Sequence, residues 1–527
     1  MKDASPAPDP PRRRWTWIVF FACLALNLVF QSTQGAWNSD LGGDPDEAAH
    51  AVTSLMVRDY VAGGWRQPTM DFARQYYADF PKVAMGHYPP GYYILAGLWL
   101  LPLVSVHSLL VLQAVLSATL GAQVFRIASR FASLPAAIVT GVLMTMLPLT
   151  LKQVQLVMSD TLVTILCLWA TLAWAEYLTH PSKRRATIFG LIASVAILTK
   201  GSSMGLCALP PLTVVFTRRW SLLKEPSWWL SALPVVVLAG PWMAYTASIT
   251  AQGMDHSSLR HFITEAAAFY AEALPYALGW MLTALAFAGL IRLVFIVARA
   301  PGAQTPYAAA FCTLVLGMCL ILFLVPAGFA ERYMLPVIPV LLMASALAAD
   351  QLCGMLPRFR SAATVMIMTA GFALVADCPS KHVRGFKNAV KQSGVPASTA
   401  DVSRWLVVSD ARGEGAIIAA AAFECPRRSP SPLRIYRGSK ELASSDWMGR
   451  EYVPRFTEEG HLLEHLDKLG IRRVFLDLST AEAQRKPHEL LLEHALSRFP
   501  ERWAMDFSQT ITRNRGSDGR LLVYKRL

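Results

Sequence analysis

The 527-residue chain is 54% hydrophobic and only 16% charged, well below the charge content of soluble domains. Apolar runs long enough to cross a bilayer recur from Trp15 to about Ala376, which excludes a wholly soluble protein. The net charge of +13 falls largely in short loops and the terminal region, where a membrane surface, not nucleic acid, is the expected neighbour.

Residues 1–14 are expected to form a cytoplasmic tail that ends in Pro11-Arg12-Arg13-Arg14. The apolar run behind it is long and has no small-x-small cleavage site, so it is expected to stay as the first span. Eleven spans are expected, at 15–33, 107–126, 134–151, 157–178, 186–199, 203–217, 228–249, 276–298, 306–326, 332–350 and 361–377. The stretch 92–105 is apolar but too close to the second span to be separate; a helix lying at or dipping into the interface is expected there. Lys and Arg cluster in alternate loops, which the positive-inside rule assigns to the cytoplasm. Loops 34–90, 152–156, 200–202, 250–275 and 327–331 then face outward, together with everything after 378.

The first outer loop, 34–90, concentrates reactive side chains beside the membrane. It opens with Gly43-Asp44-Pro45-Asp46-Glu47-Ala48-Ala49-His50 and closes with His87-Tyr88-Pro89-Pro90-Gly91-Tyr92-Tyr93. Charge beside hydrocarbon is costly unless something uses it. Asp44 and Pro45 are expected as N-cap and first residue of an amphipathic helix lying along the membrane. Asp46 and His50, four apart, share a face of it. The bland role for Asp46 is capping; the functional one is that of a base. Lys200 and Arg332 each stand at the outer end of a span, as headgroup anchors or as partners for a lipid phosphate.

Taken together, the Asp-Glu pair, the Pro-Pro-x-Tyr-Tyr re-entry, Leu198-Thr199-Lys200-Gly201 and Arg332-Tyr333-Met334-Leu335-Pro336 resemble the GT-C glycosyltransferases. The nearest branch is that of protein O-mannosyltransferases and aminoarabinose transferases. The resemblance spans residues 10–350 in order. Ser159-Asp160-Thr161-Leu162 resembles the family's Asp-bearing span start without its preceding Arg-Pro, and Gly91 stands where relatives often carry leucine. The resemblance implies a transferase that uses a polyprenyl-phosphate sugar at the outer face. Asp46 and Glu47 would be catalytic, Asp46 as the base and Glu47 orienting it or the acceptor. Lys200 and Arg332 would hold the donor phosphate, and Asp44, His87, Tyr92, Tyr93 and Asp160 would contact donor or acceptor. Lipid, glycan and protein acceptors all stay open, as does a divalent metal held by Asp44 and His50.

The expected architecture is thus a polytopic α-helical membrane protein, with a GT-C-like catalytic domain at 15–377, a connector at 378–402 and a soluble α/β domain at 403–527. In the last domain, strands are expected at 403–409, 433–436, 472–477, 503–510 and 520–525, with helices at 457–469 and 486–498. Gly413-Glu414-Gly415 is expected to be a plain turn ahead of an alanine-rich helix. Cys378 and Cys425 are the two cysteines of this polar region, and a disulfide between them stays open. The compact loops suggest the inner membrane of a bacterium. A transporter or lipid flippase is the rival reading, but it calls for mid-membrane charges and paired, interrupted halves, whereas here the charges gather at outer ends.

Overall fold

Helices occupy all eleven expected spans in the computed structural model, which describes residues 10–299, 302–355, 357–375, 377–395, 402–426, 431–446, 449–514 and 518–527. Residues 1–9 of the expected tail and 396–401 of the expected connector lie outside the described residues. Among the described residues, six helical stretches are long and apolar enough to cross a membrane: Arg13–Thr33, Val106–Ala128, Asp160–Thr179, Pro226–Ala251, Trp280–Arg299 and Thr305–Leu324. Leu134–Met146 and Pro148–Val154 add a pair bent by 56°, where Pro148 breaks the helical ladder. The other four are shorter. Lys183–Ile197 stops before Lys200, and Ile338–Leu352 begins after Arg332. Irregular backbone at such depth is tolerated where it lines a protected site, and the ends missing from these helices carry the site residues.

Two readings of the outer loops need correction. The segment 250–275 is largely helical, as part of Leu259–Leu278, whose Phe262, Ala266, Tyr270 and Ala273 form a buried stripe. The helix Glu47–Ala62 does not lie on the membrane surface, because its first ten residues are all buried. On one side it packs against the short helix Gly91–Trp99, where a Cβ on Gly97 would stand 2.9 Å from Val57. On another it meets Ala411–Glu424, where a Cβ on Gly415 would stand 2.9 Å from that of Ala48.

The expected C-terminal strands form one mixed sheet with Leu433–Arg437 at one edge, then Ser403–Val408, Arg473–Asp477, Asp518–Arg526 and Trp503–Thr512. The first three are parallel, with Trp405 opposite both Ile435 and Arg473; the last two join antiparallel. Side chains alternate across a strand, and both faces are covered. Leu406 and Val408 pack with Leu463, Leu466 and Leu496 of helices Glu459–Leu469 and Pro487–Arg498. Trp405 and Val407 pack with Ile417 and Ile418 of Ala411–Glu424, in a core continuous with that of the membrane helices. Strand Trp405–Val408 is an unbroken apolar run because it is buried on both sides.

The expected turn at Gly413-Glu414-Gly415 lies inside the helix Ala411–Glu424, which Asp410 caps by accepting from Gly413 N at 2.8 Å. Glu414 faces inward to Arg437 Nε at 2.8 Å and accepts from Ser439 N. Cys378 is exposed and Cys425 buried, and among the described residues no disulfide joins them.

Residues 378–395 of the expected connector are built into the junction between the two domains. Helix Phe386–Ser393 is capped by Asp40 of the first outer loop, whose Oδ2 accepts from Phe386 N at 2.9 Å and Lys387 N at 3.3 Å. Lys381, 2% exposed, donates to Glu47 Oε1 at 2.5 Å, and Glu47 is fully buried. The other Glu47 oxygen accepts from Gly43 N at 2.9 Å, which closes the turn ahead of Asp46. A buried ion pair is weak evidence of net stability, but removing one partner strands the other charge. Lys381→Met is therefore expected to destabilise the protein by about 3–5 kcal/mol, and adding Glu47→Gln should restore much of that loss. Thermal unfolding of the purified variants checks this, and a double variant no more stable than the single one would contradict it.

Candidate active site

The helix Glu47–Ala62 begins two residues later than Asp44-Pro45 suggests, and the carboxylates divide the work at its start differently. Asp44 Oδ1 accepts from Asp46 N at 3.0 Å and its Oδ2 pairs with Arg332 Nη1 at 2.9 Å. Asp46 stands at the N-cap position, yet its side chain caps nothing. Its Oδ2 instead accepts from Arg332 Nη2 at 2.6 Å and from Tyr88 Oη at 2.9 Å. Among the described residues its Oδ1 has no hydrogen-bond partner, although the side chain is 20% exposed. One oxygen is thus anchored and the other is open. Burial pushes this carboxyl up, but the Arg332 guanidinium and the Tyr88 hydroxyl outweigh it and hold it below the usual carboxylate range.

A second ion pair lies next to the first. Lys200 donates to Asp160 Oδ1 at 2.5 Å, with side chains 8% and 2% exposed. The Tyr333 ring joins the two pairs, with Lys200 Nζ 4.9 Å and Arg332 Cζ 5.7 Å from its centroid. Lys200 reaches this place because the re-entry loop comes very close to it. Gly91 N donates to Leu198 O at 2.6 Å, and a Cβ on Gly91 would stand 2.7 Å from Thr199 Oγ1 and 2.8 Å from Leu198 O. Glycine at position 91 thus has a cause within the protein: no side chain fits between the re-entry and the helix end that leads to Lys200.

The remaining expected residues take supporting places. His50 is buried with Nδ1 3.0 Å from Tyr93 Oη, and burial pushes its imidazole down to about 4, so it is neutral at physiological pH. Tyr92 is buried and accepts from Gln113 Nε2 at 2.8 Å. Tyr92 and Tyr93 thus pack around His50, one helical turn from Asp46. His87 lies close enough to feel the Asp46 charge, and burial lowers its pKa. Glu47 points away from this group into its pair with Lys381. Lys152, on the same end of the molecule, meets Glu331 at 3.4 Å.

Three participants escaped the sequence reading. Tyr88 and Tyr333 sit inside quoted motifs, next to the residues singled out, so proximity alone could have flagged them. Lys82 had no signal. Its Nζ donates to Ala411 O at 3.2 Å between the Asp46 loop and the C-terminal domain, and burial together with Arg437 lowers its pKa to about 8.

Buried polar atoms are nearly always paired, yet here Arg332 Nε and Asp160 Oδ2 are buried without partners. Both belong to the paired cations and carboxylates around Tyr333, where a polar ligand would complete them. Among the described residues no three His, Cys, Asp or Glu side chains gather as a metal site. Asp44 and His50, the metal candidates, are turned to Arg332 and Tyr93 respectively.

Residues 86–245 match the family model described as dolichyl-phosphate-mannose-protein mannosyltransferase, a stretch that includes His87, Asp160 and Lys200. No curated relative matches the chain in sequence. Among solved structures, ArnT from Cupriavidus metallidurans in the apo state is similar at 16% identity, covering 96% of this chain and 97% of that one with a TM-score of 0.55. The same protein bound to undecaprenyl phosphate matches at 15% identity over 96% and 98% of the two chains, with a TM-score of 0.53. The archaeal oligosaccharyltransferase AglB from Archaeoglobus fulgidus, in complex with an inhibitory peptide and a dolichol-phosphate, matches at 12% identity over 97% and 74%, with a TM-score of 0.50. The many-helix membrane body and the appended sheet domain give this chain the fold seen in ArnT and AglB, and the stretch around Lys200 is similar to the protein O-mannosyltransferases.

Proposed function

We propose that the chain transfers a sugar from a polyprenyl-phosphate donor to an acceptor hydroxyl at the outer face of the membrane, with Asp46 as the general base. The observation that carries this reading is the asymmetry of Asp46, with Oδ2 fixed by Arg332 and Tyr88 and Oδ1 open. The lack of a side-chain cap bond at Asp46 among the described residues supports this role over capping. In the reaction, the acceptor O–H gives its proton to Asp46 Oδ1 while its oxygen attacks the sugar C1. The bond from C1 to the phosphate oxygen breaks, and charge builds on the departing polyprenyl phosphate. Arg332 and Lys200, both close to the Tyr333 ring, would meet that charge. The undecaprenyl phosphate on ArnT and the dolichol-phosphate on AglB support a lipid phosphate as the carrier.

Arg332 joins the two halves of this chemistry. Paired with Asp46 it keeps the base ionised but weak. A donor phosphate that draws the guanidinium toward itself would strengthen the base at the moment the leaving group is engaged. Lys200 and Arg332 are thus donor-phosphate ligands that are held by carboxylates in its absence. Glu47 serves as a positioning residue, because it fixes the turn that presents Asp46. The flippase reading has no comparable use for the open Asp46 oxygen.

Asp46→Asn keeps the shape but cannot take a proton, and it is expected to lower the transfer rate by about 10² to 10⁴ with normal melting behaviour. Transfer from a labelled polyprenyl-phosphate sugar, assayed on purified protein, checks this. Turnover above roughly a tenth of wild type would remove Asp46 as the base. The pH profile adds a sign. With the Asp46 pKa held low, activity should persist as pH falls to the usual carboxylate range of about 4, and the acid limb should move upward in Arg332→Gln. An acid limb that stays in place would uncouple Arg332 from the base.

The orientation rests on the charge alternation of the loops. A reporter that is active only in the cytoplasm, fused after Leu527, should be silent. Full reporter signal would place the sheet domain and Asp46 on the cytoplasmic side.

A further inference from the structure

A second cavity, separate from the Asp46 cluster, opens where the two domains meet the membrane boundary. It holds about 260 Å³ and is lined by Trp37, Asp40, His107, Arg384, Lys387 and Asn388, with helix Ala411–Glu424 contributing Ala416, Ala420 and Phe423. That helix separates it from the catalytic loop, since Gly415 faces Ala48 and Lys82. We propose that this cavity seats the phosphate headgroup of an anionic phospholipid from the outer leaflet.

Three observations lead there. The first is depth. Trp37 follows the first span helix, which ends at Thr33, and His107 is the second residue of the span helix Val106–Ala128. Their rings stack with centroids 5.2 Å apart and an interplanar angle of 17°, and His107 Nε2 lies 2.8 Å from Trp37 O. Aromatic rings with a polar edge collect at the headgroup level of a bilayer. The second is charge. Arg384 projects into solvent, and among the described residues it has no carboxylate within ion-pair distance. Lys387 shares Glu424 only loosely, at 3.6 Å. Asp40, the acid on the wall, is committed to the amides of Phe386 and Lys387, and Asn388 lines the cavity next to them. The third is size. The volume falls just below the roughly 300–1,000 Å³ that drug-sized ligands occupy, which suits a headgroup whose acyl chains stay in the bilayer. Basic pockets at a membrane boundary recognise lipid phosphates in this way. Such a lipid would tie the sheet domain to the membrane at a point away from the chemistry.

The test uses the full chain in nanodiscs made from equal parts phosphatidylglycerol and phosphatidylcholine, followed by native mass spectrometry of the released protein. Wild type should retain phosphatidylglycerol in preference to phosphatidylcholine. Arg384→Gln, an exposed change that leaves the fold intact, should lower that retention roughly fivefold, and Lys387→Gln should lower it further. The melting temperature in detergent should be unchanged, which separates lost binding from lost structure. Equal retention of the two lipids, or retention that ignores both substitutions, would overturn the proposal. Displacement of the retained lipid by millimolar inorganic phosphate would overturn it too, since the site would then serve soluble phosphate and not a headgroup.

Discussion

Arg332 is the constraint on which the site depends. Its two terminal nitrogens reach Asp44 at 2.9 Å and Asp46 at 2.6 Å, joining residues nearly three hundred positions apart in the chain. A guanidinium that is 13% exposed requires such partners, because a buried unpaired charge is far more costly than a paired one. The membrane helices must therefore bring the start of the first outer loop and the entry to the helix Ile338–Leu352 to one point. Tyr333 extends this point to Lys200 and Asp160, so that two cations and three carboxylates share one water-poor pocket. Each cation is balanced, yet each pair retains an unsatisfied atom, at Arg332 Nε and Asp160 Oδ2. Under the proposed function, these are the atoms that a bound donor would complete.

The C-terminal domain supports this pocket from outside. Its helix Ala411–Glu424 packs directly on the start of Glu47–Ala62 through the contact of Gly415 with Ala48. Lys381 fixes Glu47, and Asp40 in return caps the helix Phe386–Ser393. The catalytic loop is thus clamped between membrane helices and a sheet domain, and a loop of that length would otherwise be mobile. Rigid support of this kind is what a base needs if its open oxygen is to meet an acceptor within hydrogen-bond reach.

Much of the fold was legible because apolar length and period are strong signals. The span positions follow from runs such as Val106–Ala128, and the strand Ser403–Val408 from its unbroken apolar core. The site was legible in part, since Asp46, Lys200 and Arg332 stand in short motifs at the ends of apolar runs. Pairing was not legible. Nothing local to Glu47 shows that it belongs to Lys381, 334 positions away, and its neighbour Asp46 has the same chemistry and the opposite fate. The surface helix expected to start at Asp44-Pro45 failed for a related reason. Ala48, Ala49, Val52, Leu55, Met56 and Val57 read as the apolar side of an amphipathic pattern, but the small residues between them also permit close packing on every face. The turn expected at Gly413-Glu414-Gly415 failed because its glycines admit a neighbouring helix at Gly415 and the Ser409 side chain at Gly413, not because the chain reverses there.

An experimentally determined structure of the protein with a polyprenyl phosphate bound measures the central claim directly. The phosphate should lie within about 3 Å of an Arg332 nitrogen and of Lys200 Nζ, as charge-assisted hydrogen bonds require. The Arg332 contact to Asp46 should be lengthened or lost while Tyr88 keeps its bond. A phosphate bound elsewhere, with Arg332 still closed on both Asp44 and Asp46, would contradict the coupling of base and leaving group through this arginine.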